Sequence, residues 1–349
     1  MLRLLPLALS ALLLALSGCG SDDDEAAAPS TTAATETQAG EQLRVGLITD
    51  LGQLDDNGFN ELAFKGLKRA ESELGVKGRV IESASAADYI PNMTRLGRDG
   101  YDLVIGVGFA QGDAIGKVAQ RFPDTKFAII DVDQAFVPGT PANVQGLLFR
   151  EEEVGYLAGY LAGLEEKRRA GKDVISAVGG MKEPPVDRFI AGYFAGAKKA
   201  APGITLFHDY SQDWDDQAKC KELALNQIAR GSNVIFQVAG GCGLGALNAA
   251  DERGKVGIGV DADQSFLGDH ILTSAQKGVD AAVFLTIQSI QDGSWNGGGN
   301  STYGLKEDGV GLGKLSSTVP QEDVEKVDEV EQQIADGEIS GIPTTVGKS

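Results

Sequence analysis

The sequence predicts an α/β protein made of two doubly wound parallel-sheet lobes with a ligand cleft between them. Three observations carry this. From Leu43 onward, short apolar runs alternate with longer amphipathic stretches, the pattern of a parallel sheet covered on both faces. The series starts again after Phe149, giving two similar halves, neither an exact repeat of the other. Several apolar runs end on an aspartate, and open parallel sheets bind ligands outside the carboxyl ends of their strands.

Taken in order, Leu43 to Thr49 reads as a strand ending on Asp50. A helix follows from Phe59 to Leu74, with Leu62, Phe64, Leu67, Ala70 and Leu74 roughly on one face. Arg79 to Glu82 is a strand and Tyr89 to Asp99 a helix. Asp102 to Val107 is a third strand, with a helix running to Phe122. Lys126 to Ile130 is the fourth strand, ending on Asp131. In the second series, helix Glu151 to Leu164 leads to strand Val174 to Val178. Helix Val186 to Ala200 leads to strand Ile204 to Phe207, and helix Gln217 to Arg230 to strand Val234 to Val238. Gly243 to Glu252 is helical, and strand Val256 to Val260 ends on Asp261. Helix Val279 to Gly293, a Gly-rich turn, a short strand pair near Tyr303 and Val310, and an amphipathic helix Gln321 to Asp336 complete the chain.

The first 42 residues read differently. The apolar run Leu4 to Leu16 follows a lone Arg3, is interrupted by Pro6 and ends in Leu16-Ser17-Gly18-Cys19. It is shorter than the ~20 residues of a spanning helix and has the form of a secretory signal. The Cys after Leu-Ser-Gly resembles a bacterial lipobox, which implies cleavage before Cys19 and attachment of lipid, palmitate included, to its sulfur. Residues 20–42 carry six acidic residues, no aromatic and no Lys or Arg, so they read as a disordered tether. The expected division is a signal over 1–18, a tether over 19–42 and a two-lobed domain over 43–349. Lobe one draws mainly on 43–149 with part of 262–295, and lobe two on 150–261 with the C-terminal part.

The formal net charge is −19, which leaves about −14 for the folded part once Arg3 and the tether's carboxylates are set aside. An acidic surface argues against nucleic acid or anionic lipid as partner. Cys220 and Cys242 form an even pair in an exported chain and are disulfide candidates, against two buried free thiols. Two histidines, His208 and His270, are too few and too far apart for a metal centre. HExxH, CxxC, GxSxG and GxxxxGK[ST] are all missing, and no cofactor is expected.

The strand ends hold a coherent set of groups. Asp50, Asp131 and Asp261 offer carboxylate acceptors for a sugar or ribose. Phe59 and Trp214, in opposite halves, offer faces for a planar ring. Gly240 and Gly241 allow close backbone approach, and Lys277 offers a donor or a partner for an Asp. Asp55, Asp56, Asp215 and Asp216 read first as helix caps, and Phe109 and Phe189 as core.

Several stretches, in order, resemble one family. Leu47-Ile48-Thr49-Asp50 with Asp55-Asp56-Asn57-Gly58-Phe59-Asn60, then Val186 to Gly192, Gly257 to Gln264, and Thr273-Ser274-Ala275-Gln276-Lys277 are similar to the basic membrane protein lipoproteins. These are substrate-binding proteins of ABC importers, and the best understood bind purine nucleosides. The resemblance covers essentially Leu43 to Ser349. It implies a periplasmic-binding-protein type I fold, no enzyme activity, and a monomer anchored by lipid on the extracytoplasmic face of the cell membrane beside an ABC permease. It implies Asp50 and Asn60 as contacts to the base, with Phe59 stacked on one face. A Phe usually covers the other face, and here Trp214 of Ser211-Gln212-Asp213-Trp214-Asp215-Asp216 stands in its place. Asp261 and Lys277 would hold ribose hydroxyls, Gly240 or Gly241 would add backbone contacts, and Asp131 would add a further carboxylate. A ligand-sensing lipoprotein, or a binder of another planar or sugar-like solute, would share these motifs. A nucleoside hydrolase would want a calcium-binding Asp cluster, which Asp50, Asp55 and Asp56 mimic only superficially.

Overall fold

A computed structural model describes residues 42–169 and 173–347. The leader, Cys19 and the tether up to residue 41 lie outside the described residues. In chain order the elements of the first run are β1 (Arg44–Ile48), α1 (Phe59–Leu74), β2 (Lys77–Ile81), α2 (Tyr89–Arg98), β3 (Leu103–Gly106), α3 (Gly112–Ala119), β4 (Lys126–Ile130) and β5 (Val144–Phe149). The second run is α4 (Glu151–Lys167), β6 (Val174–Gly179), α5 (Pro184–Ala200), β7 (Thr205–Tyr210), α6 (Gln217–Ala229), β8 (Val234–Val238), α7 (Gly240–Glu252), β9 (Val256–Asp261) and β10 (Ile271–Lys277). The last third holds α8 (Val279–Gln291), β11 (Asn300–Tyr303), β12 (Val310–Leu312) and α9 (Gln321–Ala335).

Two sheets form, ordered β2-β1-β3-β4-β5-β11 and β7-β6-β8-β9-β10-β12. The two orders superimpose term by term. Central strands β3 and β8 are buried throughout, as expected of apolar runs covered by helices on both faces. All pairings are parallel among the described strands except β10 with β12, which is antiparallel and closes the edge of the second sheet.

The chain crosses between lobes three times. It leaves lobe one after β5, returns at α8, which packs on α1, adds β11, and goes back for β12 and α9. The part of 262–295 that belongs to lobe one is therefore α8 alone; Ile271–Lys277 is a strand of lobe two. The C-terminal part divides as well, since β11 pairs with β5 of lobe one. The expected strand pair near Tyr303 and Val310 is corrected by this topology: the two strands sit in different sheets. Both are short edge strands, and each pairs with the core strand where the chain arrives.

Two strands escaped the sequence reading. Gln145 and Gly146 interrupt β5, and β10 is polar in composition although Thr273 and Ser274 are fully buried. Their hydroxyls are satisfied internally: Thr273 donates to the Gly313 carbonyl at 3.1 Å, and the Ser274 hydroxyl accepts from the Gln264 amide at 2.9 Å.

Candidate ligand cleft

Lobe one contributes its first wall through the loop after β1. Asp56 organises that loop: its carboxylate accepts from the amides of Gly58 (2.9 Å), Asn60 (2.9 Å) and Glu61 (3.2 Å). This is capping, as expected for Asp at a helix start, yet Asp56 is also buried and lines the cleft. The cap places Phe59 and Asn60 on the cleft face of α1. The Asn60 side-chain carbonyl accepts from the Asp50 amide at 3.0 Å, so it is already spent on holding the loop. Asp50 accepts from the Tyr89 hydroxyl at 2.5 Å and from the Leu51 amide at 2.7 Å. Burial raises its carboxyl above the usual range, against these hydrogen bonds. Gly108, at φ 104, lets the backbone pass the Asp50 carboxylate: a Cβ there would lie 2.1 Å from it.

Lobe two supplies the opposite wall. Trp214 stands in the loop between β7 and α6, its ring so close to Gly180 that a Cβ at position 180 would lie 2.2 Å from it. The Trp214 carbonyl accepts from the Cys242 amide at 2.8 Å. Asp213 accepts from the amides of Asp215 (2.9 Å) and Asp216 (3.0 Å) and pairs with Lys219, which pulls its carboxyl down to about 2. Asp216 caps α6. Cys220 of α6 and Cys242 of α7 are joined by a disulfide with Cα atoms 5.6 Å apart, tying the two helices that frame the Trp214 loop.

The floor is ionic. Lys277, at the end of β10, is 2% exposed in its side chain and lies 2.6 Å from Asp131 and 2.9 Å from Glu151. Its ammonium also lies over three rings, 5.1 Å from the centroid of Phe59, 4.8 Å from Phe149 and 6.0 Å from Phe189. Burial opposes the charge on Lys277, but Asp131, Glu151 and Asp261 outweigh it and hold the ammonium protonated. Asp261 is different. Among the described residues its carboxylate has no hydrogen-bond or ion-pair partner within bonding distance. Burial pushes it up to about 7 against the pull of Lys277, with Asp56 and Asp131 adding repulsion. Both strand-end aspartates sit at positive φ, 72° for Asp131 and 63° for Asp261, a conformation that clusters at functional sites.

All nine residues singled out from the sequence, Asp50, Phe59, Asn60, Asp131, Trp214, Gly240, Gly241, Asp261 and Lys277, line one cleft. It holds about 630 Å³ of open space, mouth included. The lobes touch across it: Lys277 of lobe two meets Asp131 of lobe one, and the Gln264 side chain donates to the Asn57 carbonyl at 3.3 Å. Three residues were missed or misread. Glu151 is the second partner of Lys277, fully buried at the start of α4; an acidic residue that opens a helix reads as a dipole or capping group, and with β5 unrecognised nothing marked it as a strand-end residue. Glu183, before α5, lines the cleft, and burial with the nearby charges of Asp50 and Asp131 pushes it up to about 7. Phe109 is not core: it is 36% exposed on the cleft wall. Phe189 is both core and cleft lining.

A cleft of aromatic walls and buried carboxylates between two matched lobes binds a small molecule. The model of the family described as "ABC transporter substrate-binding protein PnrA-like" matches residues 43–344. The chain belongs to that family of ABC transporter substrate-binding proteins. Its role is binding rather than catalysis, with a small-molecule ligand and a membrane permease as partners. The binding protein is 33% identical to the "ABC transporter nucleoside-binding protein BmpA" of Lactococcus lactis, over 96% of this chain and 97% of the relative. It is 34% identical to an uncharacterized lipoprotein of Pyrococcus horikoshii, over 84% of this chain and 79% of the relative. A solved ABC transporter solute-binding protein from Aeropyrum pernix K1 superimposes with a TM-score of 0.77 at 29% identity, covering 86% of this chain and 94% of that one. Among the described residues no helix is long and apolar enough to cross a membrane.

Proposed function

We propose that the protein is a lipid-anchored, extracytoplasmic component of an ABC importer that closes on a nucleoside, a purine nucleoside in the first instance. The observation that carries this reading is the pairing of aromatic walls from both lobes with a floor of carboxylates that outnumber the cations beside them. A flat base fills the slot between aromatic side chains, where stacking adds to simple burial. Ribose hydroxyls are donors, and Asp261 is an acceptor without a protein partner. Lys277, oriented by Asp131 and Glu151, donates to a ribose oxygen. Asp50 and Glu183 receive N–H donors of the base, Asn60 keeps the Asp50 loop in register, and Gly240 and Gly241 bring backbone close to the ligand. Closure is a hinge motion at the three crossings, where Arg150 bonds Tyr303 at 3.0 Å and Gly278 bonds Gly309 at 2.8 Å. Cys19 bears the lipid, and the relative named a lipoprotein supports that placement.

A thermal-shift screen of the folded unit, residues 43–349, against nucleosides, free bases, sugars and amino acids tests the reading, since a ligand bound only by the native state raises its Tm. The expected result is a shift with guanosine, adenosine or inosine and none with ribose. A shift with a sugar or another planar solute alone would overturn the nucleoside assignment. Trp214→Ala is expected to abolish the nucleoside shift without lowering the ligand-free Tm by more than a few degrees.

A further inference from the structure

The two lobes carry a matched turn with a glutamine in it, and the two glutamines reach in different directions. β4 runs into Asp131-Val132-Asp133-Gln134-Ala135-Phe136, and β9 runs into Asp261-Ala262-Asp263-Gln264-Ser265-Phe266. The strands are counterparts in the two sheets. Each segment begins with an aspartate at positive φ and turns through a short 3-10 helix, Gln134–Phe136 and Ser265–Leu267. In each, the second aspartate accepts from the backbone amide two residues on, Asp133 from Ala135 at 2.9 Å and Asp263 from Ser265 at 3.0 Å. Both glutamines are buried. The Gln134 side chain donates to the Pro141 carbonyl at 3.2 Å, within lobe one. The Gln264 side chain donates to the Asn57 carbonyl at 3.3 Å, in the other lobe.

The Gln264 amide is fixed in place within its own lobe. Its oxygen accepts from the Gln237 side chain at 2.9 Å and from the Val260 amide at 3.3 Å, and its backbone amide donates to the Ser274 hydroxyl at 2.9 Å. The Gln237 oxygen accepts in turn from the Ala239 amide at 3.0 Å. A backbone amide only donates, so both side-chain oxygens face these amides and the NH2 group of Gln264 is left to face Asn57. Two glycines make room for the pair: a Cβ at Gly259 would lie 2.6 Å from the Gln264 oxygen, and one at Gly243 would overlap the Gln237 oxygen. Gln264 is 1% exposed and Gln237 0%. On the receiving side, Asn57 sits at φ 54, a left-handed conformation that asparagine tolerates better than most residues. It leads directly into Gly58, Phe59 and Asn60, the stretch organised by the Asp56 cap. Among the described residues that line the cleft, Gln237, Gln264 and Asn57 do not figure.

We propose that Gln264 is a closure latch: a positioning residue outside the ligand cleft that joins the lobes through the Asn57 carbonyl and sets how long the closed form lasts. The inference rests on the hinge closure proposed above. Its place in the fold separates this bond from the Lys277–Asp131 pair. Lys277 immediately precedes the crossing at Gly278, and Asp131 follows β4, the neighbour of β5, from which the chain first crosses. That pair lies beside the hinge, where a rotation moves atoms least. The Asn57 loop leaves β1, three strands from β5, about 14 Å at the ordinary strand spacing. Opening therefore parts Gln264 from Asn57 further than it parts Lys277 from Asp131. Both ends of the bond are protein atoms, so it favours the closed form with or without ligand, and ligand escape requires that it break. Because Asn57 runs into Phe59, latching also holds the aromatic wall of lobe one in its closed position.

The test reads closure and kinetics separately, in the full chain. Spin labels on exposed residues of α1 and α6, introduced as Lys65→Cys and Glu222→Cys, report the distance between lobes. Stopped-flow fluorescence, with Trp214 in the cleft as reporter, gives kon and koff for guanosine. Gln264→Met removes the donor at similar volume. It is expected to lower the closed population of the ligand-free protein and to raise koff about fivefold, the scale of one neutral hydrogen bond, with kon unchanged or higher. A merely structural lesion of lobe two would lower kon as well. Gln134→Met deletes the matched amide within lobe one, and is expected to lower Tm without moving the interlobe distance or koff. Gln264→Glu keeps an oxygen for the Gln237 and Val260 donors, which favour its ionised form, and offers no donor to Asn57. At pH 8 it is expected to act as Gln264→Met does, and it decides the matter if Gln264→Met does not fold. Parent-like closure and koff in the variant that folds would overturn the latch, as would an equal effect of Gln134→Met. A parent that binds no guanosine would refute the nucleoside reading alone, because the ligand-free distance is measured without a solute. A parent whose lobes keep one distance with every solute that binds would overturn the latch together with the hinge.

Discussion

The ends of β4 and β9 have the same local structure and different surroundings. Asp131 and Asp261 open near-identical segments, and both are held at positive φ. Asp131 is bound at 2.6 Å to Lys277, which comes from the other lobe. Asp261, in the same lobe as Lys277, feels its charge but makes no bond to it. The following glutamines diverge as well: Gln134 donates to Pro141 in its own lobe at 3.2 Å, whereas Gln264 reaches Asn57 in the other. The difference teaches that backbone geometry delivers a carboxylate to the cleft edge, and that the group opposite decides its work. One aspartate closes the lobes; the other stays open to a ligand.

The largest way to break this comparison is to remove the cation the two sites share. Lys277→Ala leaves Asp131 and Glu151 buried without a counter-ion. Losing one partner of a buried pair costs about 3–5 kcal/mol, and denaturant unfolding of the ligand-free protein is expected to show a loss of that size. A loss below about 1 kcal/mol would mean that the floor network contributes little to the fold.

The walls of the two lobes are also held differently. Phe59 is positioned by the Asp56 cap, whereas the Trp214 loop is framed by a covalent link with a sequence separation of 22 residues. Closing a loop of that size stabilises by about 3 kcal/mol in the chain-entropy model. Cys220→Ser with Cys242→Ser is expected to lower stability by about that amount under oxidising conditions. The unreduced parent is expected to show neither thiol in a titration of the denatured chain.

Much of this was legible in the sequence. Alternating apolar and amphipathic runs located most of both sheets, and aspartates at apolar strand ends marked the cleft, since a carboxylate there must have a use or a partner. What escaped has physical causes. β10 is buried but polar, because its hydroxyls bond within the fold, so hydropathy does not announce a strand. Glu151 and Glu183 sit at helix starts, where an acidic residue is ordinarily read as a dipole or capping group. The sharing of β11 and β12 between lobes depends on long-range pairing that no local window contains. The repeated Asp131–Phe136 and Asp261–Phe266 segments were in plain view and became meaningful only once the sheets aligned.

The comparison sharpens with Asp261→Asn. Because burial disfavours the charge of this carboxylate and no protein group partners it, Asp261→Asn is expected to stabilise the ligand-free protein at pH 8 and to change its stability by less than about 1 kcal/mol at pH 4, where the parent already carries the proton. Ligand affinity should fall by about 2 kcal/mol, roughly 30-fold in Kd, the scale of a hydrogen bond to a charged acceptor. The same residue sets a pH trend. Its carboxyl is raised from 3.8 to about 7 in the native cleft, so the native state holds a proton that the unfolded chain releases. The stability this represents is complete below pH 4 and is lost as pH rises through 7. The Tm of the ligand-free parent should therefore fall between pH 5 and 8, and Asp261→Asn should flatten that fall. A steeper fall in the variant would contradict the placement of Asp261.

The smallest effect is expected at Glu183, which tests whether acceptor excess is a property of the whole cleft or of lobe two's floor alone. Its carboxyl is partly exposed at the cleft wall, and it is raised to about 7 by burial first and by Asp50 and Asp131 next. Ionised, it repels both; protonated, it does not. Glu183→Gln mimics the protonated form. It should therefore stabilise the ligand-free protein slightly at pH 8, by under about 1 kcal/mol, and have no effect at pH 5, where the parent already carries the proton. Thermal melts at the two pH values read this directly. A gain that persists at pH 5 would assign it to helix propensity or packing at the start of α5 rather than to charge. In the ligand-bound protein the same substitution should weaken bases that present N–H donors to that wall more than bases that present an acceptor, so the ranking of guanosine against inosine reports whether Glu183 faces the base.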